Sequence, residues 1–208
     1  MYSIMCVTVV ASDWGAGWLK HSRSVQTPWN SVQHCNLVKV VQFLGAGRTQ
    51  PLKEMGIRCL IYQPPYSILN RWPEAEGILD YLLDEGIGCV VFSPLAQGML
   101  TPKYLDGIPE GSRAARPEGF LQAEQVIAQQ EKIRALGDLA AANGMSINHL
   151  AIQWSLRAEA VTSSLIGART VAQLDDSLDA LKSPMPDEAM LAAIDAIAPL
   201  VKKKNAEN

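Results

Sequence analysis

The sequence predicts an α/β protein built on a parallel sheet, and three observations carry that prediction. From residue 57 onward, short apolar runs alternate with helical patterns. The runs are bounded by Gly and Pro, and the helical stretches between them are long enough to form right-handed crossovers. The runs are also apolar on successive residues, as strands covered on both faces are. A doubly wound sheet and a β/α barrel both satisfy this pattern.

The elements follow in order. Ile57 to Tyr62 is a short apolar run between Gly56 and Gln63-Pro64-Pro65, and reads as a buried strand. Pro73 to Glu85 has helical spacing: Ile78, Leu79, Leu82 and Leu83 share a face, Pro73 suits a first turn, and Gly86 suits the position just past the end. Gly88 to Phe92 is the next strand. A long loop with Pro94, Gly98, Gly107, Pro109, Gly111 and Pro117 runs to about residue 119. Helices are expected at 123–143 and 146–158, a third strand at Val161 to Ile166, a helix at Val171 to Lys182, and a last amphipathic helix at 187–198. Residues 1–52 differ in texture. Cys6 to Ala11 and Leu37 to Leu44 are strand candidates, separated by Trp14, Trp18 and Trp29 without helical period. Residues 1–52 and 53–208 therefore form two units of organisation, the first atypical.

Composition narrows the function. The chain of 208 residues is 48% hydrophobic and 19% charged, with a net charge of -3. That is an ordinary globular composition without the basic footprint of nucleic-acid binding. No apolar run approaches the roughly 20 residues of a membrane helix. The apolar start lacks the preceding Lys or Arg of a signal peptide. Cys6, Cys35, Cys59 and Cys89 have no paired spacing, so neither a metal site nor a disulfide set is expected, and a reducing cytoplasm fits them. Gly45-Ala46-Gly47 opens like a dinucleotide fingerprint, but Gln50 stands where its third glycine belongs and Pro51 interrupts the helix that should follow.

In parallel β/α folds, ligands sit at the C-terminal strand ends. Those ends here are Tyr62 to Tyr66, Phe92 to Gly98, and Ile166 to Arg169, the last opening directly into a helix. A helix N-terminus offers free N–H groups and a favourable dipole to an anion, and Arg169 adds a bidentate donor. With Lys103 and Arg113 in the long loop, the cations suit a ligand with several phosphates.

Ser93-Pro94-Leu95-Ala96-Gln97-Gly98-Met99-Leu100-Thr101-Pro102-Lys103-Tyr104 resembles the S-P-L-A-x-G-x-L-T-x-K-Y signature of aldo-keto reductases. Ile61 to Arg71 resembles the family's preceding segment, and Gly167 to Ser177 its closing stretch. The branch resembled most holds bacterial L-glyceraldehyde-3-phosphate reductases and potassium-channel β subunits. The match runs from 57 to 199 and corresponds to the C-terminal half of the family's chain.

The resemblance implies part of a (β/α)8 TIM barrel, covering about strands six to eight with their helices, and NADP as cofactor for reducing small aldehydes and ketones. Gln63 would hydrogen-bond the nicotinamide carboxamide, and Phe92 would lie against its ring. The Ser93-Pro94-Leu95 and Gly98 turn would line the pyrophosphate. Lys103 and Arg113 would reach the phosphates, including the 2′-phosphate. Gly167, Arg169, Gln173, Asp176 and Ser177 would hold the adenosine end. Arg169 replaces a common Ser, Ser177 a usual Asn, and Pro102 a common Gly.

The family's acid-base set is a Tyr, Lys, Asp and His from the first half of the barrel. Asp13 has no Tyr about five residues on, where Trp18 and Leu19 stand, and Lys20, His21 and His34 are isolated. No catalytic residue is assigned. The expectation is an incomplete chain, from truncation, a gene-model error or a frameshifted reading of 1–52, whose open barrel edge is a site for oligomerisation. A non-catalytic nicotinamide-nucleotide-binding or regulatory protein, or an inactive fragment, is the rival.

Overall fold

The computed structural model describes residues 5–10, 54, 59–112, 114–115 and 121–201. Among them the strands are β1 (Met5–Val10), β2 (Ile61–Tyr62), β3 (Gly88–Phe92) and β4 (Val161–Ala168), in the sheet order β1-β4-β3-β2. β2, β3 and β4 run parallel, with Tyr62 opposite Cys89 and Phe92 opposite Leu165. β1 lies antiparallel on the outer edge of β4, Met5 opposite Ala168 and Val10 opposite Ser163. The parallel sheet expected from residue 57 onward is found in β2, β3 and β4, and β1, from the segment set apart as atypical, joins it in the antiparallel sense. The strand candidate at Leu37 to Leu44 lies outside the described residues.

The helices are α1 (Trp72–Ala75), α2 (Ile78–Asp84), α3 (Ala123–Ala142), α4 (Ile147–Leu156), α5 (Val171–Asp179) and α6 (Glu188–Ile197). α2 packs on β3, α4 and α5 pack on β4, and α3 packs on α6. The helix expected over 73–85 is two helices. Gly77 sits at a left-handed φ of 65° between them, a conformation that costs an L side chain about 1 kcal/mol and glycine nothing. Gly86, at φ 63°, terminates α2 as its position predicts. The helix expected to reach Lys182 ends at Asp179 and tightens into a 3-10 turn, Ala180–Lys182.

The core runs between sheet and helices. Cys89, Val91, Leu136, Leu150, Ile152, Trp154 and Val161 are fully buried. Cys89 is a free thiol, and burial pushes it up to about 12, so it behaves as a small hydrophobe. On β3, Cys89 and Val91 are buried while Val90 and Phe92 are half-buried, so one face is fully covered and the other only in part.

A polar cluster ties three helices together beneath the sheet end. Glu74 of α1 accepts from Arg71 at 2.6 Å and from Arg157 at 2.8 Å, and its carboxylate also accepts the Tyr66 hydroxyl. Arg157 donates to the Tyr66 oxygen at 2.7 Å and stacks 3.8 Å from the Trp154 ring centroid. Arg71 reaches Asp195 of α6 and the Ala198 carbonyl. Burial pushes the Glu74 carboxyl up, but the hydrogen bonds from Tyr66, Arg157 and Arg71 outweigh it and hold it below the ordinary glutamate value. A carboxylate with a depressed folded pKa contributes stability that is present above its unfolded value and lost as pH falls through the folded one. Replacing Glu74 by Gln leaves Arg157 without its counter-charge and Arg71 with Asp195 alone, and is expected to cost about 3 kcal/mol at neutral pH. In urea melts the gap between Glu74→Gln and the parent should narrow as pH drops below 4.5, the ordinary value for this group. A gap that is constant down to acid pH contradicts the charged assignment.

Candidate functional site

The parallel register brings three strand ends together. Beyond β2 the chain stays beside β3: the Phe92 N–H donates to the Pro64 carbonyl at 3.0 Å, and the Tyr66 N–H donates to the Phe92 carbonyl at 3.1 Å. Pro65 is thereby bridged to Phe92, so Gln63 stands beside the end of β3. Because Phe92 is opposite Leu165, Ile166, Gly167 and Ala168 extend past it on the other side. Gln63 and Phe92 are both half-buried, and each already has an interaction within the chain.

The turn after β3 is the most unusual backbone among the described residues. Ser93, Ala96 and Gln97 have φ of 57°, 47° and 60°, and Gly98 follows at 101°. Non-glycine residues enter this region at a cost of about 1–2 kcal/mol each, and such strain concentrates where the surroundings over-determine the backbone, commonly at ligand sites. Hydrogen bonds from Ala96 N–H to Ser93 O and from Gly98 N–H to Leu95 O close the turn. The Thr101 hydroxyl donates to the Gly98 carbonyl at 2.7 Å. A Cβ on Gly98 would meet nothing closer than 4.0 Å, so conformation rather than space calls for glycine there. Pro94 is buried, Leu95 packs partly on the core, and Ser93 stays half-exposed.

Downstream, a 3-10 turn, Pro102–Tyr104, exposes Lys103 with its ammonium 5.5 Å from the Tyr104 ring centroid. Tyr104 is buried, and its hydroxyl accepts the Ala114 N–H at 3.4 Å, drawing the returning loop inward. Arg113 lies outside the described residues, between the buried Ser112 and Ala114. α3 secures this loop from behind. Gln130 donates to the Tyr104 and Leu105 carbonyls, each at 2.9 Å, and Arg134 to the Leu105 carbonyl at 3.1 Å. Leu105 packs so close to Gly137 that a Cβ there would come within 2.3 Å of its methyl group.

At the third strand end, Gly167 and Arg169 are exposed and α5 begins at once. Thr170 caps the helix by accepting the Gln173 N–H at 3.2 Å, while the Gln173 side-chain oxygen accepts the Arg169 N–H at 2.9 Å. The Gln173 NH2 group remains the half of that amide not used in the cap. Asp176, further along α5, is held by two residues of α4: Asn148 Nδ2 donates to its Oδ2 at 2.7 Å, and His149 Nε2 lies 3.2 Å from its Oδ1. Ser177 is buried and its hydroxyl donates to the Gln173 carbonyl at 2.8 Å, so that proton is turned back into its own helix.

The structure thus gathers Gln63, Phe92, Ser93, Pro94, Leu95, Gly98, Gly167 and Arg169 at one edge of the sheet, with Lys103 on the loop leaving it. Sequence reasoning missed Asn148 and His149. The available signal was a pair of polar residues in α4, a helix buried over most of its length. Among the described residues, no group of three or more His, Cys, Asp or Glu could hold a metal, and no helix is long and apolar enough to cross a membrane. Asp13, Lys20, His21 and His34 lie outside the described residues.

Comparison with known proteins places this edge in context. The family model for the aldo/keto reductase family matches residues 31–199, beginning upstream of the residue 57 at which the motifs start. The chain is 42% identical over 148 residues to an L-glyceraldehyde 3-phosphate reductase of Escherichia coli O157:H7, covering 69% of this chain and 43% of that protein. It is 27% identical over 197 residues to a putative voltage-gated potassium channel subunit beta of Schizosaccharomyces pombe, covering 93% of this chain and 47% of that one. The chain spans less than half the length of these relatives. In fold it is similar to the glycerol dehydrogenase of Gluconobacter oxydans, with a TM-score of 0.64 at 19% identity over 82% of this chain and 53% of that one.

The left-handed Ser93 gives a direct stability test. Ser93→Gly should raise the unfolding free energy by about 1 kcal/mol, by relieving the positive φ. A loss of stability of that size instead would mean that contacts of the serine side chain outweigh the strain.

Proposed function

Since the chain belongs to the aldo/keto reductase family, we propose that it binds NADP(H) across the C-terminal ends of β2, β3 and β4, in the service of reducing small aldehydes or ketones. The strained turn from Ser93 to Gly98 carries this reading. Three non-glycine residues at positive φ are an expense a plain connection would avoid, and backbone strain of this kind clusters at ligand sites.

The donor set fits the dinucleotide. Exposed Lys103 and Arg169 supply cations, the N-terminal turn of α5 supplies the dipole, and Ser93 supplies a hydroxyl at the strand end. Phe92, half-buried at the end of β3, is an apolar flank for a nicotinamide ring, and Gln63, just past β2, offers an amide to the carboxamide. Lys103, with Arg113 on the same loop, would take the 2′-phosphate. Bound there, NADPH would supply a hydride; this chain's residues bind, orient and desolvate it.

A second reading, a nucleotide-binding protein without turnover of its own, is favoured by the tyrosines. Tyr66 and Tyr104 are buried and their hydroxyls are engaged, with Glu74 and Arg157 in one case and the Ala114 N–H in the other. Tyr66 gives its proton to Glu74, and Tyr104 is buried, so neither is presented to a carbonyl at the strand ends. The chain spans less than half the length of these relatives, so such a donor has room on the part of them that it does not match.

The two readings separate experimentally. Fluorescence titration should give saturable NADPH binding, and Lys103→Ala should weaken NADPH about tenfold while changing NADH little. Equal loss for both nucleotides would remove Lys103 from the 2′-phosphate. With methylglyoxal or glyceraldehyde as substrate, the chain alone is expected to oxidise NADPH no faster than background. Measurable turnover would instead put a working acid within this chain.

A further inference from the structure

Asp176 is oriented from behind by α4, and the manner of its support is unusual. Asn148 is 3% exposed and sits in a helix whose other inward positions are mostly apolar. Its Nδ2 donates to Asp176 Oδ2 at 2.7 Å, while its own Oδ1 is buried with no partner among the described residues. An orphaned buried acceptor costs about 1–3 kcal/mol, so this amide is not there to satisfy the core. The adjacent His149 completes the hold. Its Nε2 faces two acceptors, the Asp176 carbonyl at 2.9 Å and Oδ1 at 3.2 Å, and therefore carries a hydrogen in either protonation state. Its Nδ1 lies 3.2 Å from the Ser183 hydroxyl, which donates to it when the ring is neutral.

Both carboxylate oxygens of Asp176 are thus fixed from one side, yet the side chain remains 57% exposed. A carboxylate has about four lone-pair sites, and two supports leave the others facing solvent. A free surface aspartate would rotate; this one is held at both oxygens, six residues past the Thr170 cap. At 1.5 Å per residue that is about 9 Å along α5 from the strand end.

We propose that Asn148 and His149 are positioning residues for the adenosine end of the dinucleotide, acting through Asp176. They fix its carboxylate to accept from a nucleotide amine or hydroxyl without losing rotational freedom on binding. The proposal rests on the NADP(H) reading above and extends it to residues that touch no nucleotide. The physical advantage is preorganisation: an acceptor already held in one orientation contributes more to affinity than one that must be ordered.

The test separates the two ends of the ligand. Wild type, Asn148→Leu, His149→Phe and His149→Gln are titrated with NADPH, with 2′,5′-ADP, and with reduced nicotinamide mononucleotide, which lacks the adenosine. Asn148→Leu and His149→Phe should each weaken NADPH and 2′,5′-ADP about tenfold and leave the mononucleotide unchanged. His149→Gln, which can restore a donor to Asp176, should recover most of the loss. In an Asp176→Ala background, His149→Phe should have no further effect. Equal weakening of all three ligands, or an undiminished His149→Phe effect without Asp176, overturns the proposal and points to a packing role. If wild type binds NADPH but both variants bind 2′,5′-ADP normally, this proposal fails and the cofactor reading stands. If wild type binds none of the three, both fail.

Discussion

Glu74 is the point on which the site end of the molecule turns. Its carboxylate lies between Arg71, three residues earlier, and Arg157, at the end of a helix 83 residues later, with the Tyr66 hydroxyl as a third donor. Trp154 supplies a flat face on which Arg157 stacks and against which Tyr66 packs, ring centroids 4.9 Å apart. β2 needs this anchor because only two of its residues pair in the sheet. Past Tyr62, the chain is held to β3 by two main-chain hydrogen bonds through Phe92 and by the burial of Tyr66. A paired, hydrogen-bonded charge cluster is weak evidence for net stability, but removing one member of it is costly. That asymmetry makes it a device for fixing one arrangement, and the arrangement fixed is the chain from Pro64 to Tyr66 alongside Phe92.

The same logic of support from behind recurs around the strained turn. Ser93 to Gly98 does not hold its left-handed backbone by its own few hydrogen bonds alone. Pro94 and Ala96 are buried, and Tyr104 below is tied through Gln130 to α3. Gly137 lets the Leu105 methyl group rest directly on α3, where a Cβ would displace it, although glycine inside a helix costs about 1 kcal/mol relative to alanine. α4 stands behind Asp176 in the same way. The exposed residues at the strand ends are few and mostly polar; the precision comes from buried ones that the nucleotide would never meet.

Sheet topology sets the limits of the arrangement. Parallel β2, β3 and β4 align their C-terminal ends, which is why three segments spread along the chain from Tyr62 to Arg169 share one end of the sheet. β1 covers the outer side of β4 in the antiparallel sense. An edge strand with unpaired main-chain groups invites further pairing, and β1 meets that need on one side of the sheet. The parallel trio is the α/β part of the sheet, and the antiparallel edge is a feature of this chain's own sheet.

What the sequence determined by itself was local. Alternating apolar runs identified β3 to the residue and β4 closely, helical spacing found α3 to α6 within a few residues, and the strand-end motifs named the segments that meet at the site. Gly86 ended its helix as glycine chemistry dictates, whereas Gly77 broke one that periodicity alone read as continuous. Tertiary structure decided the rest. The left-handed backbone of Ser93, Ala96 and Gln97 depends on what packs beneath it, since none of these residue types requires positive φ. The pairing of Arg157 with Tyr66 spans 91 residues, and that of Asn148 with Asp176 spans 28. Periodicity reports which way a side chain faces and whether it is buried; it carries no information on which distant element lies opposite. A buried asparagine in an apolar helix announces that a polar partner exists, and only the packing of α4 against α5 identifies it as Asp176.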